Sequence, residues 1–173
     1  MADDVASLRA LAHPLRLQML SLLTGAALSA AEVARELGIS QANASYHLRT
    51  LAAAGQVVEA GTETIRGGTA KRYRHPWDGA AELRPLEDGD FPLYLQAVAA
   101  EMVRRGALRE PGRRGCTTDA ELWVEPQVWA EVLEQVDAAA SRLHAEARPP
   151  RTDGTVRVTM TAALFAMADR THP

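Results

Sequence analysis

The feature that most constrains the fold is a pair of short helical patterns separated by a single glycine, between residues 29 and 54. Ser29 and Glu32 have the Ser-x-x-Glu spacing of a helix capping box, followed by an apolar face of two to three turns. Gly38 is suited to ending that helix, because glycine adopts the left-handed conformation without a steric penalty.

A second helix is predicted directly after this glycine. Ser40 is a good N-cap, and Gly55 is suited to closing a helix that runs to about Ala54. The apolar positions at helical spacing are Ala44, Leu48 and Leu51. Two short helices joined by a tight turn that contains glycine are the sequence form of a helix-turn-helix.

The other face of the second helix carries only side chains that form hydrogen bonds. These are Gln41, Asn43, Ser45, Tyr46, His47, Arg49 and Thr50. An ordinary solvated helix face favours Glu and Lys, and this face has neither, although a merely solvated face remains the alternative. Short uncharged side chains suit contact with base edges, while His47 and Arg49 could bind phosphates instead.

The segments on both sides extend this pattern. Upstream, leucines at helical spacing and Pro14 predict a short helix before His13 and a second from Pro14 to about Leu23. Downstream, residues 57–60 and 71–74 have strand character, and the glycines between them suit a hairpin turn. Such a hairpin is the wing of a winged helix, and its predicted DNA-contacting side chains are Arg66, Lys71 and Arg72.

The distribution of charge favours DNA binding by this half of the chain. The net charge of the whole chain is −3, but residues 1–76 hold eight Lys or Arg against six Asp or Glu. Residues 40–76 alone hold five basic and two acidic side chains, whereas residues 77–173 hold eleven basic and sixteen acidic ones. A local excess of positive charge is the electrostatic signature expected of a phosphate-binding surface.

With these motifs in place, residues 5–75 resemble the ArsR-type winged-helix repressors. The resemblance is carried by LAHPLRLQML at 11–20, EVARELGISQ at 32–41 and SYHLRTL at 45–51. It implies a homodimer on a roughly palindromic operator, with the helix at 41–54 in the major groove and the wing alongside. It also implies DNA contact by Ser45 and His47, whereas Ala44 departs from the bulkier residue usual at its position.

Many members of that family sense metals through a cysteine pair or through Asp and His ligands. Here Cys116 is the only cysteine, and the five histidines are scattered without an i, i+4 pair. We therefore expect no metal site and no cofactor, and a signal other than a metal ion.

The second half predicts a connector at 77–91 and an amphipathic helix at 92–106 suited to dimerisation. A strand at 121–124, a helix at 126–147 and a strand at 155–165 follow. The two strands are expected to pair with each other or with a second subunit, under the long helix. The aromatic candidates for an effector pocket are Trp123, Trp129 and Phe165, although large aromatic residues more often belong to a core.

The sequence thus predicts a mainly α protein with small β elements (α+β), in which a winged helix-turn-helix precedes a helix and a strand-helix-strand module. The predicted units are a DNA-binding domain at 1–76, a connector at 77–91, and a dimerisation and effector-binding domain at 92–173. The predicted function is that of a homodimeric, sequence-specific repressor that binds double-stranded DNA. The alternative is a winged helix that binds only another protein.

Other classes of protein are disfavoured. The chain has no Gly-x-Ser-x-Gly elbow, no phosphate-binding loop and no His-Glu-x-x-His motif, so we expect no enzyme activity. An acidic start and the lack of a long apolar run favour a cytoplasmic protein that does not enter a membrane.

Overall fold

The computed structural model describes residues 10–65, 68–76 and 91–168. Its elements in chain order are α1 (Pro14–Gly25), β1 (Leu28–Ser29), α2 (Ala30–Leu37), α3 (Gln41–Ala53), β2 (Val58–Ile65), β3 (Gly68–Arg74), α4 (Phe91–Gly106) and α5 (Pro126–Ala145). This order confirms the predicted α+β winged helix-turn-helix. The predicted connector spans 77–91, of which residues 77–90 lie outside the described residues, and Phe91 already belongs to α4. Residues 1–9, which hold most of the first predicted helix, also lie outside the described residues.

Each of the helices α1, α2 and α3 begins at a side chain that accepts a hydrogen bond from a free backbone amide of its first turn. The Nδ1 of His13 accepts from the Leu15 amide at 3.2 Å, and the Ser40 hydroxyl accepts from the Asn43 amide at 3.2 Å. Ser29 and Glu32 form the predicted capping box, in which the Ser29 amide donates to the Glu32 carboxylate at 2.7 Å. These caps remove the cost of unsatisfied amides and fix where each helix starts.

The turn between α2 and α3 depends on Gly38. Its φ is 67°, and its amide donates to the carbonyl of Ala34. A side chain in this left-handed conformation would be strained, which explains the glycine. The turn directs α3 across α2 and buries the predicted apolar stripe of α3.

One hydrophobic core lies under these three helices and the sheet. Its most deeply buried large side chains include Met19, Leu23, Val33, Leu48 and Leu51. Tyr73 of β3 joins the same core, so the sheet is attached to the helices through its inner strand. The helix α3 is therefore held on a rigid base.

The sheet is antiparallel with the order β1-β3-β2. The hairpin strands are longer than predicted, since β2 continues to Ile65 and β3 begins at Gly68. Residues 62–65, predicted as part of a polar connection between the strands, pair with β3 because threonine suits a strand that is exposed to solvent. The short strand β1 was not predicted, because two residues carry too little pattern to detect.

The structure corrects the predicted strand-helix-strand module. The helices α4 and α5 are confirmed, but 121–124 and 155–165 are not paired strands in this chain. No residue between 102 and 168 is buried. A strand requires a hydrogen-bonded neighbour, and neither segment has one within the part of the chain that the structure describes. None of the described helices combines the length and apolar character needed to span a membrane.

A buried carboxylate in α4 joins the two halves of the chain. Glu101 of α4 is 2% exposed and accepts hydrogen bonds from Gln18 of α1 at 2.6 Å and from Arg104 at 2.9 Å. Arg105 also donates to Glu101 at 3.3 Å. Burial alone would raise the pKa of Glu101, but the hydrogen bonds and the neighbouring arginine charges outweigh it, so the pKa is lowered.

Candidate nucleic-acid interface

The outer face of α3 presents several polar side chains to solvent. Gln41, Asn43 and Arg49 are exposed, and Tyr46 is 59% exposed. On the opposite face Ala44, Leu48 and Leu51 are completely buried. Residues three and four apart share one face of a helix. The buried apolar stripe of α3 therefore determines which side chains lie on the outward face.

A cleft of about 400 Å³ lies between α3 and the wing. Its lining residues are Ala30, Gln41, Ser45, Arg49, Ala52, Glu59, Ala70, Lys71 and Tyr73. It brings together four of the predicted DNA-binding residues, from two elements that are distant in sequence. Inside it, the Arg49 guanidinium donates to the Ser45 hydroxyl at 3.1 Å, which holds the guanidinium along the helix.

The wing contributes Lys71, which pairs with Glu59 across the hairpin at 2.6 Å. The hydrogen bond from Lys71 to Glu59 raises the pKa of Lys71. Both side chains remain about half exposed, at 57% and 51%. An exposed ion pair of this kind is weak, so a phosphate can replace the carboxylate as the partner of the ammonium group. Glu59 was not among the predicted site residues.

Arg72 is placed differently from the prediction. Its guanidinium binds the Glu63 carboxylate, the Glu32 carboxylate at 3.2 Å and the Ala27 carbonyl at 2.6 Å. Burial alone would raise the pKa of Glu32, but hydrogen bonds from Ser29 and the adjacent Arg72 outweigh it, so that pKa is lowered. Arg72 therefore ties β3 to α2 and does not share the exposed face of α3. Arg66 lies outside the described residues.

His47 also lies away from this face. It is 8% exposed, and its ring packs against His13 with the ring centroids 4.9 Å apart. Burial and the charges of His13 and Arg16 lower its pKa, and its buried Nδ1 has no hydrogen-bond partner among the described residues. The signal missed in the sequence is spacing, because position 47 follows Ala44 by three residues and precedes Leu51 by four.

The remaining predicted contacts lie near the exposed face. The Thr50 hydroxyl donates to the Tyr46 carbonyl at 3.1 Å and is half-buried, so it is less available than Gln41 or Asn43. Asn43 lies in the first turn of α3, where the side chains of a recognition helix meet base edges.

The three aromatic residues predicted to line an effector pocket do not enclose one in the single chain. Trp123 is 86% exposed, and Trp129 is half-buried on α5. Phe165 packs edge-on against Phe91 of α4, with centroids 5.4 Å apart. A side chain as exposed as Trp123 cannot line a closed cavity without a further partner.

Comparison with known families supports a helix-turn-helix in the first half of the chain. A family model described as a helix-turn-helix domain matches residues 11–58, from three residues before α1 to the first residue of β2. A search of curated proteins gives no match. The matched segment holds every helix around the core, and the exposed polar face of α3 lies within it. The match and the fold together support a DNA-binding regulator of the winged helix-turn-helix class.

Proposed function

We propose that this protein is a homodimeric, ArsR-type transcriptional repressor that binds a specific double-stranded operator and is released by a signal other than a metal ion. Residues 1–76 are the proposed DNA-binding domain. Residues 92–173, joined by the connector at 77–91, are the proposed dimerisation and effector-binding domain. The proposed site of action is the cytoplasm, and no enzyme activity is assigned.

The observation that carries this proposal is the cleft between α3 and the wing. It combines hydrogen-bonding side chains from the exposed face of a rigidly anchored helix with a cation from the neighbouring hairpin. Base edges in the major groove are recognised by side chains of the first kind, and phosphates by the second. A surface used only to bind a protein would not require this division of chemistry.

The structure allows a separate role for each contact. Gln41 and Asn43, in the first turn of α3, are the proposed readers of base edges, together with Ser45 and Tyr46. Arg49 and Lys71 are the proposed phosphate contacts, with Arg66 and Thr50 as further candidates. His47 and Arg72 are the proposed positioning residues, which hold α3 and β3 in place without contacting DNA. In a twofold dimer, two such surfaces would meet half-sites about one helical turn apart.

The first experiment is fluorescence anisotropy with the DNA upstream of the gene and with an unrelated duplex, between about 50 and 200 mM salt. Tighter binding to the upstream DNA, weakening steeply with salt, is the expected result. If neither duplex shows salt-dependent binding, the DNA-binding proposal is wrong and the protein-interaction alternative takes its place.

Two variants separate the proposed roles. Lys71→Ala should weaken binding to both duplexes equally and reduce the salt slope by about one, because one phosphate contact is lost. Gln41→Ala should mainly change the preference among operator bases, by about 1–3 kcal/mol of discrimination. The matched control is Arg109→Ala, which removes an exposed cation outside the proposed interface and should change neither. Equal effects of all three variants would contradict the assigned roles.

A further inference from the structure

The second half of the molecule exposes apolar side chains on a scale that the first half does not. Among the residues that the structure describes, seventeen large hydrophobic ones are exposed, and fifteen of these lie between Leu93 and Met167. The helix α5 has no buried residue, although its apolar stripe is well formed. Extensive exposed apolar surface marks a protein interface in a soluble chain.

Two segments on either side of α5 have complementary chemistry. The acidic arm, residues 116–125, carries Asp119, Glu121 and Glu125 and no basic residue. The basic arm, residues 148–160, carries Arg148, Arg151 and Arg157 and only Asp153 as an acid.

Both arms also alternate in the way that paired strands do. In the acidic arm, Leu122 and Val124 share one face and Glu121 shares the other with Trp123. In the basic arm, the apolar face consists of Val156, Val158 and Met160, and Arg157 lies on the opposite face. Antiparallel or parallel pairing therefore sets apolar residues beside apolar ones, and the Glu121 side chain on the same face as Arg157.

The basic arm lies against earlier parts of its own chain at several points. The Arg148 carbonyl approaches Gly25 so closely that a Cβ there would lie 2.6 Å from it. Beyond this point Arg151 binds Glu36 at 2.7 Å, and further along Thr159 accepts from Arg105 at 3.4 Å.

From there the arm's continuation follows α4 back toward its start, where Phe165 meets Phe91. Fourteen residues of helix from 91 to 105 cover about 21 Å. The six residues from 159 to 165 reach about 20 Å only when extended. The segment from Thr159 to Phe165 thus runs extended beside α4, and Val156 and Val158, which precede it, are 61% and 65% exposed.

The acidic arm of the same chain does not occupy this edge. Leu122 and Trp123 are 74% and 86% exposed. The 20 residues of α5 separate the arms by about 30 Å. Each chain therefore presents two exposed segments of opposite charge that do not pair with each other.

We propose that the acidic arm of one copy pairs with the basic arm of a second copy, and the reverse, across a twofold axis. The two pairings of an acidic with a basic arm then form together, as a twofold (isologous) interface requires. In each copy, α5 connects the two paired arms. A different protein would have to supply both an acidic and a basic strand at the same spacing, which a second copy does by symmetry. The inference rests on the proposed homodimer and specifies its interface.

The test mixes two charge-reversed copies that carry affinity tags of different mass. Glu121→Arg in one copy and Arg157→Glu in the other place like charges at both junctions of either homodimer. The mixed dimer restores an attractive pair at both junctions. Native mass spectrometry should therefore show the mixed dimer favoured over random assortment by about tenfold.

A control mixture carries Glu110→Arg and Arg113→Glu, an exposed pair that precedes the acidic arm, and should assort at random. Random assortment of the Glu121→Arg and Arg157→Glu copies would overturn the proposed exchange. If the wild type still dimerised and bound DNA, the proposed function would survive that result. A monomeric wild type at every concentration would overturn both the homodimer and the exchange.

Hydrogen exchange of the wild-type protein gives a second measurement that needs no substitution. Backbone amides in paired strands are protected, whereas those in an unpaired segment exchange quickly. The amides of 119–125 and 155–160 should be protected in the dimer and lose protection together on dilution to monomer. Fast exchange of both segments at concentrations where the protein is dimeric would overturn the proposal.

Discussion

The two halves of this molecule follow similarly clear sequence patterns but differ in how much of their structure the single chain completes. From Ala10 to Tyr73, helices and strands surround one core with completely buried side chains. After Glu101 no described residue is buried, although α5 is the longest helix of the structure. The contrast shows that a well-formed apolar stripe indicates only that a face will be buried, and does not identify its partner.

The difference also bears on function. The first half can present a rigid recognition helix without help, because α3 is anchored by its own chain. The second half leaves most of its apolar side chains exposed in the single chain. Glu101 and Gln18 join the halves through α4 and α1.

The strongest test of this contrast replaces one leucine in each half. Leu51 is completely buried, so Leu51→Ala should lower the free energy of unfolding by about 2–5 kcal/mol at any protein concentration. Leu122 is 74% exposed, so Leu122→Ala should cost less than about 0.5 kcal/mol in dilute solution. Urea unfolding across a range of concentrations measures both effects. An equally large loss for both variants at high dilution would mean that the second half has its own core.

A smaller effect is expected at the junction of the halves. Glu101→Gln keeps the shape of the side chain but removes the charge that Arg104 and Arg105 bind. We expect a loss of about 1–3 kcal/mol, since a buried acceptor of charged hydrogen bonds is weakened. The control is Glu110→Gln, which affects an exposed ion pair with Arg113 and should change stability little.

The pH dependence of stability tests whether the charge of Glu101 causes the loss expected for Glu101→Gln. Because the folded state lowers the pKa of Glu101, its contribution is present above the ordinary carboxyl pKa and is lost as the pH falls through the lowered value. Wild type and Glu101→Gln should therefore converge in stability under acid conditions. A constant difference at all pH values would show that the charge of Glu101 is not what stabilises the junction.

The success of sequence analysis follows the same division. The capping box, the Gly38 turn and the Ser40 cap are local signals, because a side chain and an amide three residues apart determine them. The sequence predicts where the hairpin lies but not how long its strands are, because pairing along an exposed wing depends on the opposite strand. The strands at 121–124 and 155–165 were predicted from alternation alone, which does not specify a partner.

The site residues divide in the same way. The cleft joins Gln41, Ser45 and Arg49 to Lys71, as expected of a recognition helix beside a wing. His47 was predicted on this surface from its polar type and from the family resemblance, but its helical position places it among the buried residues. Arg72 looked like a free cation in the sequence, since Glu32 and Glu63 become its partners only after the chain has folded.

A third prediction compares the N-caps of two helices, one from each half. Ser29 accepts from the Glu32 amide and is 2% exposed, so Ser29→Ala should destabilise the protein by about 1 kcal/mol. Glu125 begins α5 without a side-chain cap, so Glu125→Ala should cost less than about 0.5 kcal/mol. Thermal unfolding of both variants measures the difference, and a larger loss for Glu125→Ala would reverse the expected ranking.

The smallest expected effect is a loss of stability in mildly acid solution that arises in the first half. Burial lowers the pKa values of His13 and His47, with a further contribution from the charge of Arg16. The folded state therefore disfavours their protonation, and stability is complete above the unfolded pKa of 6.5. Between pH 7.5 and 6.0 each histidine should cost less than about 0.8 kcal/mol, because only the unfolded chain takes up the proton freely.

Urea unfolding of wild type and His13→Asn at the two pH values measures this effect. Asparagine can still cap α1 at this position, so the variant removes one titrating group and keeps the helix start. The pH dependence should become shallower in His13→Asn and remain unchanged in Glu101→Gln, since carboxyl groups titrate below this range. A wild-type stability that rises on acidification would show that the folded chain binds the proton more tightly, and the predicted direction would then be wrong.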